Sequence, residues 1–302
     1  MIVDCHTHIW ETSEQLGRAG GSFSDRQRGQ RSGQPPNAAP RDHRLASEPS
    51  DKTFVLALRS YYLEAEVSND YVADYVRQNK ESMIGFACID PTRPREAIQE
   101  LRRAKEELGL HGAMVWPAAQ DFHPAATSAM RVYTEVSRLR MPLIFHEDSQ
   151  AAPPSKMEYA RPALIDEVAR EFSDLKIIIS QFGYPWTEET IVLLAKHRNI
   201  FTDISGLARH PWHAYNALLS AYQAGVMDGL LFGSNFPFST AAESIESLYS
   251  INQFCHGTNL PTIPREQLRQ IVERDALALL GIENTPRPPV LSQDTSLIRS
   301  EE

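Results

Sequence analysis

Three cysteines in 302 residues is a small number, and Cys5, Cys88 and Cys255 stand far apart with no Cys-x-x-Cys pair among them. That usage fits free thiols in a reducing, cytoplasmic setting and argues against a disulfide framework. Long apolar runs are absent too, and none approaches the length of a bilayer span. No charged segment followed by an apolar one opens the chain, so no signal peptide is expected. Excess positive charge is missing: the net charge is −9, with both signs interspersed. The field of such a chain repels phosphate, which disfavours nucleic acid and anionic membrane as partners. Finally, no Gly-rich phosphate turn follows an early strand, which weighs against an open dinucleotide-binding sheet.

What is present is a regular alternation. Hydrophobic residues make up 42% of the chain, enough for a sizeable core. Apolar, strand-like runs recur at 1–9, 53–60, 82–90, 112–117, 142–147, 175–182, 199–206 and 229–235. Helical patterns lie between or after them at 69–79, 95–107, 127–140, 161–172, 187–196, 211–225, 241–254 and 265–280. "PREAIQELRRAKEEL" is characteristic: Pro94 suits a first turn, and Ile98, Leu101, Ala104 and Leu108 fall three or four apart. Eight strand–helix units imply parallel pairing with crossovers, and the expected fold is α/β, a (β/α)8 barrel over residues 1–283. Residues 11–50 are rich in Gly, Ser, Arg, Gln and Pro, and are expected to form a flexible insertion over the barrel mouth. The tail 284–302 is expected to be disordered for the same reason.

Barrel chemistry collects where the strands end. The first strand carries Asp4, His6 and His8, which alternate and so share one face. The others end at Arg59, Asp90, Trp116, His146, Gln181, Asp203 with Ser205, and Asn235. His6 and His8 can reach one point on the axis, and His146 from across the barrel completes a set of three. Such a set favours a zinc ion with a position left open. Arg59 is a candidate fork for a substrate carboxylate, with an ion pair as the competing role. Trp116, Tyr184 and Trp186 are candidate pocket walls or ordinary packing. His111 and His123 read as junction or loop residues. Asp203 reads as a loop brace, and Cys5, of opposite parity to the histidines, as an inert residue facing the helices.

The segments "IVDCHTHIW", "GFACIDP", "PLIFHED", "LKIIISQFGYPW", "NIFTDISG" and "LLFGSNFPF" together resemble the amidohydrolase-related proteins. This branch of the amidohydrolase superfamily includes aminocarboxymuconate-semialdehyde decarboxylase and several ring-cleavage hydrolases. The resemblance covers about residues 1–10 and 53–283 and implies a (β/α)8 barrel with one divalent metal. It implies hydrolase or carboxy-lyase chemistry on small acids or lactones, and it matches His6, His8 and His146 to the metal-binding histidines. It also exposes departures. Where the family usually has aspartate after the eighth strand, this chain has Asn235. Where it usually has histidine after the sixth, this chain has Gln181. A frequent lysine of the fourth strand is replaced by Met114. Neither amide titrates, so neither can act as a general base or proton carrier. Glu147 or Asp148, after the fifth strand, could supply a base instead. The leading expectation is a metal-dependent hydrolase with altered proton-transfer residues, Asn235 and Gln181. A decarboxylase, a non-catalytic binding barrel and a structural barrel within a homo-oligomer stand as alternatives.

Overall fold

The computed structural model describes residues 1–21, 36–146 and 153–283. Its strands are β1 (Val3–His8), β2 (Lys52–Leu56), β3 (Leu58–Ser60), β4 (Ala65–Val67), β5 (Met83–Cys88), β6 (Gly112–Val115), β7 (Leu143–Phe145), β8 (Ile177–Ile179), β9 (Ile200–Asp203) and β10 (Leu230–Leu231). Eight of them form one parallel sheet in the order β1-β2-β5-β6-β7-β8-β9-β10. These are the eight strands expected from the sequence, numbered one to eight around the barrel. The last, β10, is only two residues long, and the segment beyond it closes the ring. Cys5 N donates to Phe232 O (2.9 Å), Asn235 N to His6 O (2.9 Å) and His8 N to Phe236 O (3.0 Å). The chain that carries Asn235 is therefore also the chain that joins the eighth strand to the first.

Each crossover carries a helix whose apolar stripe faces the sheet. In α2 (Asn69–Gln78), Ser68 caps the start by accepting from Tyr71 N, and Val72, Ala73 and Val76 are buried. In the helix of 94–106, Pro94 occupies the first turn and Ala97, Leu101 and Ala104 are buried, while charged residues cover the rest. The last long helical pattern is interrupted. It resolves into segments 265–273 and 276–280, because Asp275 accepts from Ala278 N and starts a second helix.

Two departures from the expected layout shape the mouth. The run 53–60 is not one strand: the barrel strand ends at Leu56, and β3 pairs with β4 as an antiparallel rim hairpin. The insertion 11–50 is the second. Residues 22–35 lie outside the described part, but the flanks are folded rather than loose. A 3-10 run spans Ser13–Gly21, and α1 spans Pro40–Ala46. Leu16, Ala19, Ala38 and His43 are fully buried. Few apolar residues are available there, but each is well placed, and a buried leucine alone contributes about 1.5–3 kcal/mol. Composition counts such residues without showing where they point. Arg18 N donates to Leu63 O (2.8 Å), tying the 3-10 run to the rim hairpin, and Tyr62 OH donates to Pro154 O (3.0 Å) from the loop after β7. The tail from residue 284 onward lies outside the described residues.

Candidate metal centre

β1 is buried along its whole length, and its pleat sends Asp4, His6 and His8 to the barrel interior and Val3, Cys5 and Thr7 outward. His146 follows β7, its N donating to Val115 O (2.9 Å). The three imidazoles meet as the spacing predicts. His8 Nε2 lies 3.2 Å from His6 Nε2 and 3.2 Å from His146 Nε2, and the ring centroids are 5.0–5.2 Å apart. All three side chains are buried.

The other ring nitrogens fix what these Nε2 atoms present. His6 Nδ1 sits 3.1 Å from Asp203 Oδ2, and His8 Nδ1 sits 3.3 Å from the Leu56 carbonyl oxygen. Both partners are acceptors, so both Nδ1 atoms carry the proton and both Nε2 atoms present lone pairs. Burial, together with the neighbouring His6, holds His8 and His146 well below the ordinary imidazole range, so both are neutral. Lone pairs at 3.2 Å, in a buried site, are reconciled by a cation between them. The donor set, the tautomers and the carboxylate behind His6 all fit a divalent metal.

Asp203 does more than brace a loop. One oxygen receives His6, while the other accepts from Gln181 N (3.0 Å), Ser205 N (3.0 Å) and the Ser205 hydroxyl. A strand-end aspartate is visible in the sequence, but its partner is 197 residues away and local pattern carries no sign of it. Asp4 lies just below the histidines. Its Oδ1 accepts from His6 N (3.2 Å) and Ser234 N (2.9 Å), and burial raises its carboxyl to about 6.

Trp116 is fully buried with its ring edge-on to His146, 5.2 Å between centroids. Arg59 is placed differently. It stands opposite Glu66 in the rim hairpin and forms an ion pair with it, the competing role foreseen for it. Gln181 and Asn235 both sit in left-handed backbone, φ 52° and 63°. Both side chains border Gly206: a Cβ there would lie 3.3 Å from Asn235 Nδ2 and 3.5 Å from Gln181 Cδ. Asn235 is buried, and its Nδ2 has no hydrogen-bond partner among the described residues. Met114 is buried and apolar. Tyr184 stacks on His210 at 4.9 Å, and Trp186 lies under Arg161, which makes both packing residues. His123 accepts from Ala125 N in a loop, and His111 joins the connection between the 94–106 helix and β6 to β5 by donating its N to Gly85 O (2.9 Å). Burial pushes the Cys5 thiol well up, which makes it inert. Glu147 and Asp148 lie outside the described residues.

The family model described as amidohydrolase matches residues 3–282. Among solved structures, a TIM-barrel protein of Bordetella bronchiseptica is 19% identical with a TM-score of 0.68, covering 93% of this chain and 99% of that one. A dihydroxybenzoic acid decarboxylase of Polaromonas, with bound manganese and the inhibitor 2-nitroresorcinol, is 16% identical with a TM-score of 0.66, covering 93% and 97%. A probable 2-pyrone-4,6-dicarboxylic acid hydrolase of Acinetobacter baumannii, with citric acid bound, is 18% identical with a TM-score of 0.62, covering 93% and 99%. At these identities the likeness speaks for the barrel and leaves the reaction to the site. No helix among the described residues is long and apolar enough to cross a membrane.

Proposed function

The chain belongs to the amidohydrolase family, and from that premise we propose that it is a metal-dependent hydrolase acting on a small organic acid, lactone or amide. One observation carries the reading: the Nε2 atoms of His6, His8 and His146 converge, and the tautomers of His6 and His8 are already set for a cation. A divalent ion held there supplies Lewis-acid polarisation of a substrate oxygen and activation of water. Three imidazoles with an open position favour zinc, while manganese is the ion bound in the Polaromonas relative.

The chain's own residues restrict the available proton chemistry. Asn235 offers an oxygen to a cation and an N–H to an anion, but takes no proton near neutral pH. Gln181 shuttles none. Trp116 and the buried walls keep bulk water away from the histidines. Asp203 orients His6 and strengthens it as a donor to metal.

Decarboxylation is the second reading, because several solved structures of this fold are decarboxylases. It needs no base to generate a nucleophile, but the proton that replaces CO2 on carbon has to come from a group other than the two amides. Two measurements test the pair. Elemental analysis of protein purified without added metal should find about one equivalent of a divalent ion. A screen of aromatic acids and lactones should then show ring opening for the first reading or CO2 release for the second. A chain that holds no metal at any concentration supplied overturns both.

A further inference from the structure

Asp203 ends the seventh barrel strand with its side chain fully buried, and its two carboxylate oxygens serve different partners. Oδ2 faces His6 Nδ1 at 3.1 Å and has no other partner among the described residues. Oδ1 accepts from Ser205 N (3.0 Å), Gln181 N (3.0 Å) and the Ser205 hydroxyl. We propose that Ser205 and Gly233 are positioning residues for the metal centre. Ser205 clamps the carboxylate that fixes the His6 ring, and Gly233 supplies the bare backbone on which clamp and ring meet. The inference deepens the metal reading above and rests on it.

Three observations carry it. A carboxylate oxygen offers two lone pairs, so three donors saturate Oδ1 and hold the group against rotation. Oδ2 is then kept in one place, and the Nδ1 proton of His6 with it. His8, by contrast, gives its Nδ1 proton to a main-chain carbonyl, Leu56 O, which needs no clamp. Gly233 is the second observation. A Cβ built there would lie 3.1 Å from Ser205 Cβ, 3.2 Å from His6 Cβ and 3.5 Å from Asp203 Cβ. Packed carbons settle at about 3.5–4.0 Å, so a methyl group would push Ser205 and His6 outward. The third is the turn at 181–183, where Gln181, Phe182 and Gly183 are all left-handed, φ 52°, 56° and 63°. Such backbone is costly for a bulky side chain and persists where the surroundings dictate it. Phe182 is fully buried, and the turn it anchors delivers Gln181 N to Asp203.

The clamp gives Gln181 a main-chain role. Its N–H donates to Asp203 whatever side chain the residue carries, so histidine and glutamine at this position serve the clamp alike. Ser205 differs, because one of its two bonds comes from the hydroxyl and is lost with it.

Imidazole NMR of the full chain with isotope-labelled histidine, in chelator-containing buffer at neutral pH, tests the clamp without metal. The His6 signals, assigned by their loss in His6→Ala, should show the wild-type proton on Nδ1 and in slow exchange with water. Ser205→Ala should speed that exchange about tenfold or more, and Gly233→Ala should do the same. Gln181→Asn, which keeps the N–H and suits left-handed backbone, should match the wild type. His43, bonded on the outer face of β1, reports on the fold and should stay unchanged in every variant. Wild-type exchange at His6 in Ser205→Ala overturns the proposal, whether or not Gly233→Ala folds. So does a wild-type His6 proton on Nε2, or a change at His43 as large as that at His6, which shows general loosening. Faster exchange in Gln181→Asn overturns the main-chain role of Gln181. Zinc affinity of parallel samples, by competition with a chromogenic chelator, separates the clamp from the metal reading. Zinc binding about tenfold weaker in Ser205→Ala supports both. Wild-type zinc affinity with unchanged His6 exchange sinks the clamp alone. The expected His6 response in a chain that takes up no zinc upholds the clamp and sinks the metal reading.

Discussion

The two faces of β1 carry buried histidine chemistry of opposite kinds. Inside the barrel, His6 and His8 bond through Nδ1 and turn bare Nε2 atoms toward one another. Outside it, His43 from α1 satisfies both nitrogens. Its Nε2 lies 2.8 Å from Thr7 Oγ1 and its Nδ1 lies 2.7 Å from Tyr75 OH. Thr7 donates onward to Phe54 O, so His43 must donate to Thr7 and accept from Tyr75. One residue, Thr7, separates His6 from His8 and belongs to the other system. Burial alone therefore does not mark a functional histidine. What marks it is a nitrogen left without a protein partner and aimed at others like it.

Breaking the inner face should have the largest effect. His8→Ala should reduce bound metal well below one equivalent and abolish turnover, as checked by elemental analysis and assay. Asp203→Asn should leave the protein folded but weaken metal binding by about 10–100-fold, because His6 loses the carboxylate that fixes its tautomer. A competition titration with a chromogenic chelator measures it. Asn235→Asp should act in the opposite direction and tighten metal binding in the same titration, since it adds a charge beside the cation.

Breaking the outer face should cost stability instead. His43→Leu leaves the Tyr75 hydroxyl only its long contact to Pro40 O (3.4 Å) and should lower unfolding free energy by about 1–3 kcal/mol in urea melts, with metal stoichiometry kept. The smallest effect is the pH dependence of that loss. Burial holds His43 down at about 3, against an ordinary 6.5. Between those values the unfolded chain takes up a proton that the native chain refuses. The neutral imidazole's contribution is therefore full above pH 6.5 and is lost progressively as pH falls toward 3. Asp4, raised to about 6, works in the opposite sense below that pH. Urea melts of wild type and His43→Leu across this range isolate the His43 part: the gap between them should narrow as pH falls. A gap that stays constant would show that His43 does not remain neutral in the fold.

The barrel and the three histidines were legible because both depend on short periods. Strand parity puts His6 and His8 on one face, and eight alternating units leave few topologies open. Trp116 was legible as a strand-end residue, and its ring lies against His146. What stayed hidden depends on long-range pairing. Arg59 reads equally as a fork for a carboxylate and as an ion-pair partner until Glu66 is seen across the hairpin. Asp203 reads as a brace until His6 arrives. His43 sits in a stretch whose composition suggests looseness, and its two hydroxyl partners, beside the buried Ala38 and Ala46, explain why the helix around it packs.

Position 235 combines two constraints that are usually separate. Its backbone is left-handed, φ 63°, and its N–H is committed to the seam with β1. Among residues with side chains, that geometry is adopted most readily by asparagine and aspartate, with glycine the other natural choice. The fold has thus reduced the choice at its closing seam to a three-letter alphabet. Two letters share one shape and differ by a unit of charge, so a single substitution can change the charge of this corner and leave the ring of strands intact.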